Sequence, residues 1–379
     1  MVAGEASGDL LGGELIGALR ELNPDLQFIG IGGSRMERAG MRVLFPQETL
    51  AVRGYVEVIR HLPEIISIRR KLARHLIARP PAAFVGIDAP DFNLALETRL
   101  KARGIPTVHY VSPAIWMWRK ARIKEIKRAV NRMLTVFPFE APIYRDAAID
   151  VTYVGHPLAD LLAEKLPRPA MREHLRLPAG VPIVALLPGS RQSEVSAMAD
   201  LFLDTARRVR EKLPDALFIV PLATRETKAL FELALYRHEM WDFPLTIFFG
   251  HAHEAMSAAD IVLAAAGTAT LEAALLRRPM VIAYRMPRAS YLLLRGRNYL
   301  PFFGLPNILC QEFVVPEFIQ DEATAENLAQ ALVNLLMDDP FRARIERKFD
   351  TLARSLQRGG ARKAAEAVLS LLPQHSRPT

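Results

Sequence analysis

Short apolar runs alternate with stretches of helical period along the whole chain. In the first half the runs cover residues 27–31, 84–88, 107–111, 133–137 and 151–154; the second half offers 183–187, 217–221, 245–248, 261–264 and 280–284. Near-continuous apolar runs of this length suit strands buried on both faces of a parallel sheet. Between them lie segments of helical length, such as 7–21, 194–212 and 270–277. In the first of these, Leu10, Leu11, Leu15 and Leu19 line one side, the ordinary stripe for packing on a sheet. Strand, helix, strand at this rhythm predicts parallel sheets with right-handed crossovers. The expected fold class is α/β, with two Rossmann-like parallel-sheet domains facing a cleft. Pro167 and Pro169, then the turn at 177–180, punctuate the middle. The expected divisions are 1–165, 166–345 and a helical segment at 346–379.

The run at 84–88 stops abruptly on a carboxylate, Asp88, followed by Ala89, Pro90 and a second carboxylate, Asp91. Proline biases the residue before it away from the helical region, which ends the strand near Ala89. Asp88 then sits at the carboxyl end of a central strand, where open α/β sheets hold their ligands. A charge buried there without a partner is costly, so it needs a partner or a task. Asp91 lies beyond Pro90 and belongs to the following turn.

Three loops have the composition of ligand cradles. Gly4-Glu5-Ala6-Ser7-Gly8-Asp9 follows a very short first strand and opens a helix, with Ser7 or Asp9 able to cap it. It is neither a Walker loop nor a dinucleotide fingerprint. Leu187-Pro188-Gly189-Ser190-Arg191 ends the first strand of the second half; Gly and Ser suit close approach to phosphate, and Arg191 carries a fork matched to phosphate oxygens. A capped helix with a surface arginine explains that pentapeptide equally well. The third loop, Ala265 to Glu272, again runs strand, small residues, helix. Its helix start at Thr268 and Ala269 can hold a diphosphate, and Glu272 can reach the vicinal hydroxyls of a ribose. Together the last two loops point to a nucleoside diphosphate bound by the second half. Asn307, in a Pro-rich loop, is an amide hydrogen-bonder that loop structure alone also accounts for. His109 reads as a satisfied core histidine, His156 follows a strand with no role fixed, and Trp116 and Trp118 flank Met117 beside a basic segment.

Composition narrows the setting. The single cysteine, Cys310, excludes an intrachain disulfide and a cysteine-cluster metal site. The chain opens without a basic start and apolar core, and no apolar run approaches the about 20 residues of a membrane span. A cytoplasmic protein is expected. The net charge of +8 favours anionic partners. Basic residues gather at Arg69, Arg70, Lys71 and Arg74, and again at Arg119, Lys120, Arg122, Lys124, Lys127 and Arg128. Solvated helix faces are the ordinary reading of both clusters; a phosphate-bearing substrate or an anionic membrane surface explains the charge at least as well as nucleic acid would. No nucleic-acid-binding signature accompanies them, so nucleic acid is not expected as a partner. Residues 55–68 are unusually apolar for one helix face: Ile65, Ile68, Leu72 and Leu76 supply a core stripe, leaving Tyr55, Val58, Ile59, Leu62 and Ile66 in excess. Core packing or a subunit contact is the ordinary reading; the sharper one is a patch that meets a membrane or acyl chains. Pro63 is expected to split this stretch into two helices.

Eight motifs, taken in order, resemble those of the lipid-A-disaccharide synthase family: GEASGD (4–9), GIDAPDFN (86–93), YVSP-x-x-W-x-WR (110–119), FPFE (137–140), VGHPLAD (154–160), LPGSR-x-x-E (187–194), GTATLE (267–272) and LPNIL (305–309). The likeness runs along nearly the whole chain, although Cys310-Gln311-Glu312 departs from the family pattern and family members carry more residues before GEASGD. The resemblance implies an inverting glycosyltransferase of the two-Rossmann-domain GT-B architecture, needing neither metal nor cofactor. Its donor would be UDP-2,3-diacylglucosamine and its acceptor 2,3-diacylglucosamine 1-phosphate (lipid X). The product would be a β-1,6-linked disaccharide phosphate, the lipid A precursor. Asp88 would be the catalytic base, with Glu5 or Asp9 the fallback, and Glu5, Ser7 and Asp9 would meet substrate. Arg191, Thr268 and Ala269 would hold the diphosphate, Glu272 the ribose, and Asn307 the donor. Residues 55–68 would rest on acyl chains or the inner membrane, making the protein peripheral there; a homodimer is compatible with the apolar surplus. The rivals are a UDP-sugar 2-epimerase or another lipid-linked sugar transferase, and a non-catalytic binder of UDP-sugar or anionic lipid.

Overall fold

The computed structural model describes residues 1–50, 55–116, 120–164, 167–286 and 301–372, without the side chains of 6, 48, 55–61 and 120. Trp118, Arg119 and the expected domain boundary at Leu166 lie outside the described residues, as do the side chains of Tyr55, Val58 and Ile59. The chain divides into two compact units: Met1–Asp160 with Leu356–Thr379, and Leu161–Ser355.

The first unit is a seven-stranded parallel sheet of β1 (Val2–Ala3), β2 (Phe28–Gly32), β3 (Met41–Pro46), β4 (Phe84–Ile87), β5 (Thr107–Tyr110), β6 (Arg132–Thr135) and β7 (Asp150–Tyr153). Its order is β3-β2-β1-β4-β5-β6-β7. Strand order reverses between β1 and β4, where Val2 pairs with Gly86 and Ala3 with Ile87. That is the switch point at which such sheets bind ligands. The helices that matter here are α1 (Ala6–Leu22), α2 (Ser34–Arg38), α3 (Tyr55–Ala78) and α4 (Pro90–Lys101). Leu15 and Leu19 of α1 are buried as the apolar stripe requires; Ile68, Leu72 and Leu76 of α3 join Phe84, Phe92 and Leu96 in one core cluster. The final helix, Gly360–Leu369, belongs to this unit. Asp160 accepts hydrogen bonds from the backbone N–H groups of Gly359 and Gly360 at its start, at 3.0 and 2.7 Å.

The second unit is a six-stranded parallel sheet of β8 (Ile183–Leu187), β9 (Leu217–Leu222), β10 (Leu245–Phe249), β11 (Ile261–Ala265), β12 (Met280–Tyr284) and β13 (Glu317–Ile319). The order β10-β9-β8-β11-β12-β13 puts its switch point between β8 and β11. Buried Arg172 pins the entry of this unit, donating to Asp260 at 2.6 Å and to the carbonyl of Ala258 at 2.9 Å.

Two local expectations are corrected. Pro63 does not split α3, which runs unbroken from Tyr55 to Ala78. A proline removes one N–H and crowds the preceding turn; a helix anchored by a buried stripe beyond Pro63 tolerates that loss. Neither Ser7 nor Asp9 caps α1: Glu5 occupies the cap position without a side-chain bond. The Asp9 carboxylate, 4 % exposed, instead accepts from the backbone N–H groups of Gly33, Arg35 and Met36 at 2.9–3.0 Å, which opens α2.

Candidate active site

At the first switch point, β4 is buried at all four positions and delivers Asp88 to its carboxyl end. Two consecutive residues, Asp88 and Ala89, adopt left-handed backbone with φ of 52° and 41°. Pro90 at the first turn of α4 fixes the next residue. Each left-handed non-glycine residue costs about 1–2 kcal/mol, and here the turn is held by Asn93, whose amide donates to the Asp88 carbonyl at 2.8 Å. Val111, one strand over at the end of β5, has φ of 78°, a strained state for a β-branched residue. Strain of this kind gathers at functional sites. A side chain on Gly4 would meet the Ala89 Cβ at 3.0 Å, so the β1–α1 and β4–α4 turns touch. Burial raises the proton affinity of Asp88 above the usual carboxylate range; His109 opposes the shift, Glu5 adds to it, and the Ala89 N–H lowers it. Glu5 and Ser7 are exposed beside this turn. Asp91 points away, exposed and paired with Arg122.

The second unit holds a cavity of about 720 Å3 over its own switch point, lined from the ends of β8, β9, β11 and β12. Arg191, Thr268, Ala269 and Glu272, expected from separate loops, all line it. Gly189 adopts φ of 133°, and a Cβ there would meet the Glu194 Cβ at 2.3 Å, so this turn admits only glycine. Glu194 closes the loop by accepting from the backbone N–H groups of Ser190 and Arg191, at 3.0 and 3.2 Å. The Arg191 guanidinium donates to the other Glu194 oxygen at 2.8 Å and is half exposed, free to turn toward an anion. A Cβ on Gly267 would meet nothing within 4 Å, so the start of the following helix, Thr268–Leu275, opens on empty space. Glu272 pairs with His253 Nε2 at 3.0 Å. His253, His251, Glu254 and Tyr284 also line the cavity and were not expected from the sequence. The available signal was the His-x-His at 251–253 just after an apolar run.

The structure gives the remaining candidates other surroundings. Asn307 is fully buried; its amide donates to the Val315 carbonyl and to Glu317, while its oxygen accepts from the backbone of Val314 and Val315. Asp9 is engaged by three backbone donors, as described. Leu62 is 46 % exposed and Ile66 half-buried on α3. His156 stacks on Phe137 and accepts from the Leu158 N–H at 3.2 Å; burial lowers its pKa to about 4. Trp116 donates to buried Glu140 at 3.1 Å, and burial raises that carboxyl to about 7. Among the described residues no helix is long and apolar enough to cross a membrane.

Comparison with known proteins agrees with this layout. The chain is 53 % identical over 372 residues to a lipid-A-disaccharide synthase from Methylobacillus flagellatus, covering 98 % of each, and 52 % identical to one from Chromobacterium violaceum, covering 99 % of this chain and 97 % of the relative. Among solved structures it is similar to a glycosyltransferase from Rickettsia africae, with a TM-score of 0.58 at 12 % identity over 98 % and 97 % of the two chains. It is likewise similar to Acinetobacter baumannii MurG, with a TM-score of 0.57 at 16 % identity over 96 % of each. These distant structures share the fold, the GT-B arrangement of two parallel-sheet Rossmann-like domains. The family described as lipid-A-disaccharide synthetase matches residues 1–370, and the chain belongs to it as a glycosyltransferase of lipid A disaccharide synthesis.

Proposed function

We propose that the chain transfers diacylglucosamine from its UDP derivative to the 6-hydroxyl of diacylglucosamine 1-phosphate, with inversion at the anomeric carbon. The acceptor oxygen forms the new bond to that carbon as the bond to the diphosphate breaks; the hydroxyl proton goes to Asp88 and UDP leaves. One observation supports this most directly: a phosphate-matched arginine, an open helix start and a carboxylate line a single cavity at the switch point of the second sheet. Arg191 and the N–H groups at Thr268 and Ala269 would stabilise the departing diphosphate as its charge develops. Glu272, oriented by His253, would accept from the ribose hydroxyls. Glu5 and Ser7 would border the acceptor beside Asp88. Asp9 and Asn307 would serve at one remove, as the buried frames of their loops.

The test is a turnover assay with diacylated UDP-glucosamine, with and without the acceptor. Disaccharide and UDP are expected only when both are present. Epimerised UDP-sugar without acceptor, or binding of either compound without turnover, would overturn the reading.

The membrane is the proposed source of both acylated substrates, met by α3 at the cytoplasmic face of the inner membrane. Leu62 is exposed on this helix, and Arg70 and Lys71 follow it on the surface. Apolar insertion beside basic charge is the usual basis of interfacial binding. The double variant Leu62→Glu, Arg70→Glu is expected to sediment several-fold less with anionic liposomes, at unchanged turnover of detergent-dispersed substrates. Unchanged sedimentation would return these residues to packing or a subunit contact.

A further inference from the structure

Beneath Asp88, the first unit buries polar groups for which packing gives no reason. Glu97 and His109 are both fully buried, and His109 Nδ1 lies 2.8 Å from Glu97 Oε1. Among the described residues, their other atoms, Glu97 Oε2 and His109 Nε2, have no hydrogen-bond partner, nor do Asn93 Oδ1 and Thr135 Oγ1. These four residues converge by construction. His109 pairs in register with Gly86 on β4 and Met133 on β6, so all three share one face of the sheet, and Thr135 lies two residues along that face. Asn93 and Glu97 stand one turn apart on α4, over Gly86. A Cβ on Gly86 would meet Glu97 Oε1 at 2.2 Å and Asn93 Cβ at 2.9 Å, so the missing side chain is the space the carboxylate occupies. Asn93 also holds the Asp88 carbonyl, which ties the cluster to the strained turn.

A buried carboxyl–imidazole pair is a poor device for stability, since apolar residues of the same volume do as well or better. Its place under the strand end that presents Asp88 suggests another use. We propose that the Glu97–His109 pair is a positioning device for Asp88, fixing an imidazole beneath the turn so that Asp88 stands ready to take the acceptor's proton. This rests on Asp88 being the base proposed above. Among the described residues, the titratable groups acting on Asp88 are His109 from β5 and Glu5 from the β1–α1 turn; His109 in turn faces Glu97 from α4 and pairs in register with Gly86 of β4 and Met133 of β6. Of these, His109 alone favours the ionised form of Asp88. Glu97 Oε1, 2.8 Å from Nδ1, fixes the imidazole in the place from which it acts on Asp88; burial raises the proton affinity of the Glu97 carboxyl, and His109 opposes that shift.

The test is the pH dependence of kcat/KM for wild type, His109→Asn and Glu97→Gln. Losing or displacing the imidazole raises the proton affinity of Asp88, so the acid limb moves to higher pH in both variants, by about one pH unit. Below the limb each variant then loses about tenfold, and on the alkaline side it approaches wild type. Uniform loss at every pH with an unmoved limb would make the pair structural and overturn the proposal. Glu97→Gln keeps the size and the acceptor for Nδ1–H, and it decides the matter if His109→Asn does not fold. Asp88→Asn separates the two ideas: turnover surviving in that variant defeats the base assignment, whereas its collapse alongside unmoved limbs in the others defeats only the role of the pair.

Discussion

Asp88→Asn is expected to lower turnover by about 10²–10⁴-fold, the usual contribution of a general base, while affinity for UDP and the donor stays within about twofold of wild type. Asparagine matches aspartate in size and keeps the hydrogen-bonding oxygen for the Ala89 N–H, but it cannot accept the acceptor's proton. The binding half of the expectation follows from the division of labour. Every residue lining the second-unit cavity lies between Leu187 and Tyr284, in the other compact unit from Asp88. Single-turnover assays and calorimetric titration with UDP separate the two effects. Parallel loss of UDP binding and turnover would make Asp88 a structural residue. A variant with near wild-type turnover would move the base to Glu5, whose charge also acts on Asp88. Asp9 is a poor substitute, with three backbone donors already on its carboxylate.

The architecture was legible where strands are buried on both faces. β8, β11 and β12 are buried along almost their whole length, and each appears in the sequence as an uninterrupted apolar run. The strands that escaped notice are β3 and β13, at one edge of each sheet. Arg42 and Pro46 break the apolar pattern of β3, and β13 has three half-buried residues. The cavity residues were legible because small residues between a strand and a helix leave few other purposes. His253 was not, because its helix, Ala252–Ala258, is too short for a period to show. Neither was the cluster under Asp88: His109 looked like a core histidine because burial and one hydrogen bond are all that a strand pattern implies. Its unpartnered Nε2 depends on what α4 brings across the sheet, and no local pattern encodes that.

Arg191 and Glu272 should fail in different ways, and the difference identifies which end of the nucleotide each one meets. Arg191→Ala is expected to lower kcat about 10²–10³-fold, because a cation at the leaving diphosphate acts most strongly where charge develops. Arg191→Lys should recover little, since an ammonium cannot reproduce the two-pronged geometry. Glu272→Ala removes a charged hydrogen-bond acceptor worth about 1.5–3 kcal/mol, which raises the donor KM roughly 10–100-fold with a smaller change in kcat. Titration with UMP and UDP then assigns the contacts. Glu272→Ala should weaken both nucleotides alike, since both carry the ribose. Arg191→Ala should weaken UDP and largely spare UMP, which lacks the second phosphate. His253 enters through its bond to Glu272, so His253→Ala should follow the Glu272 pattern with a smaller loss. Equal loss of UMP and UDP in Arg191→Ala would mean that Arg191 only shapes its loop through Glu194, the partner it has here. Wild-type UMP binding in Glu272→Ala would take the ribose away from this carboxylate and leave the Glu272–His253 pair as a wall of the cavity.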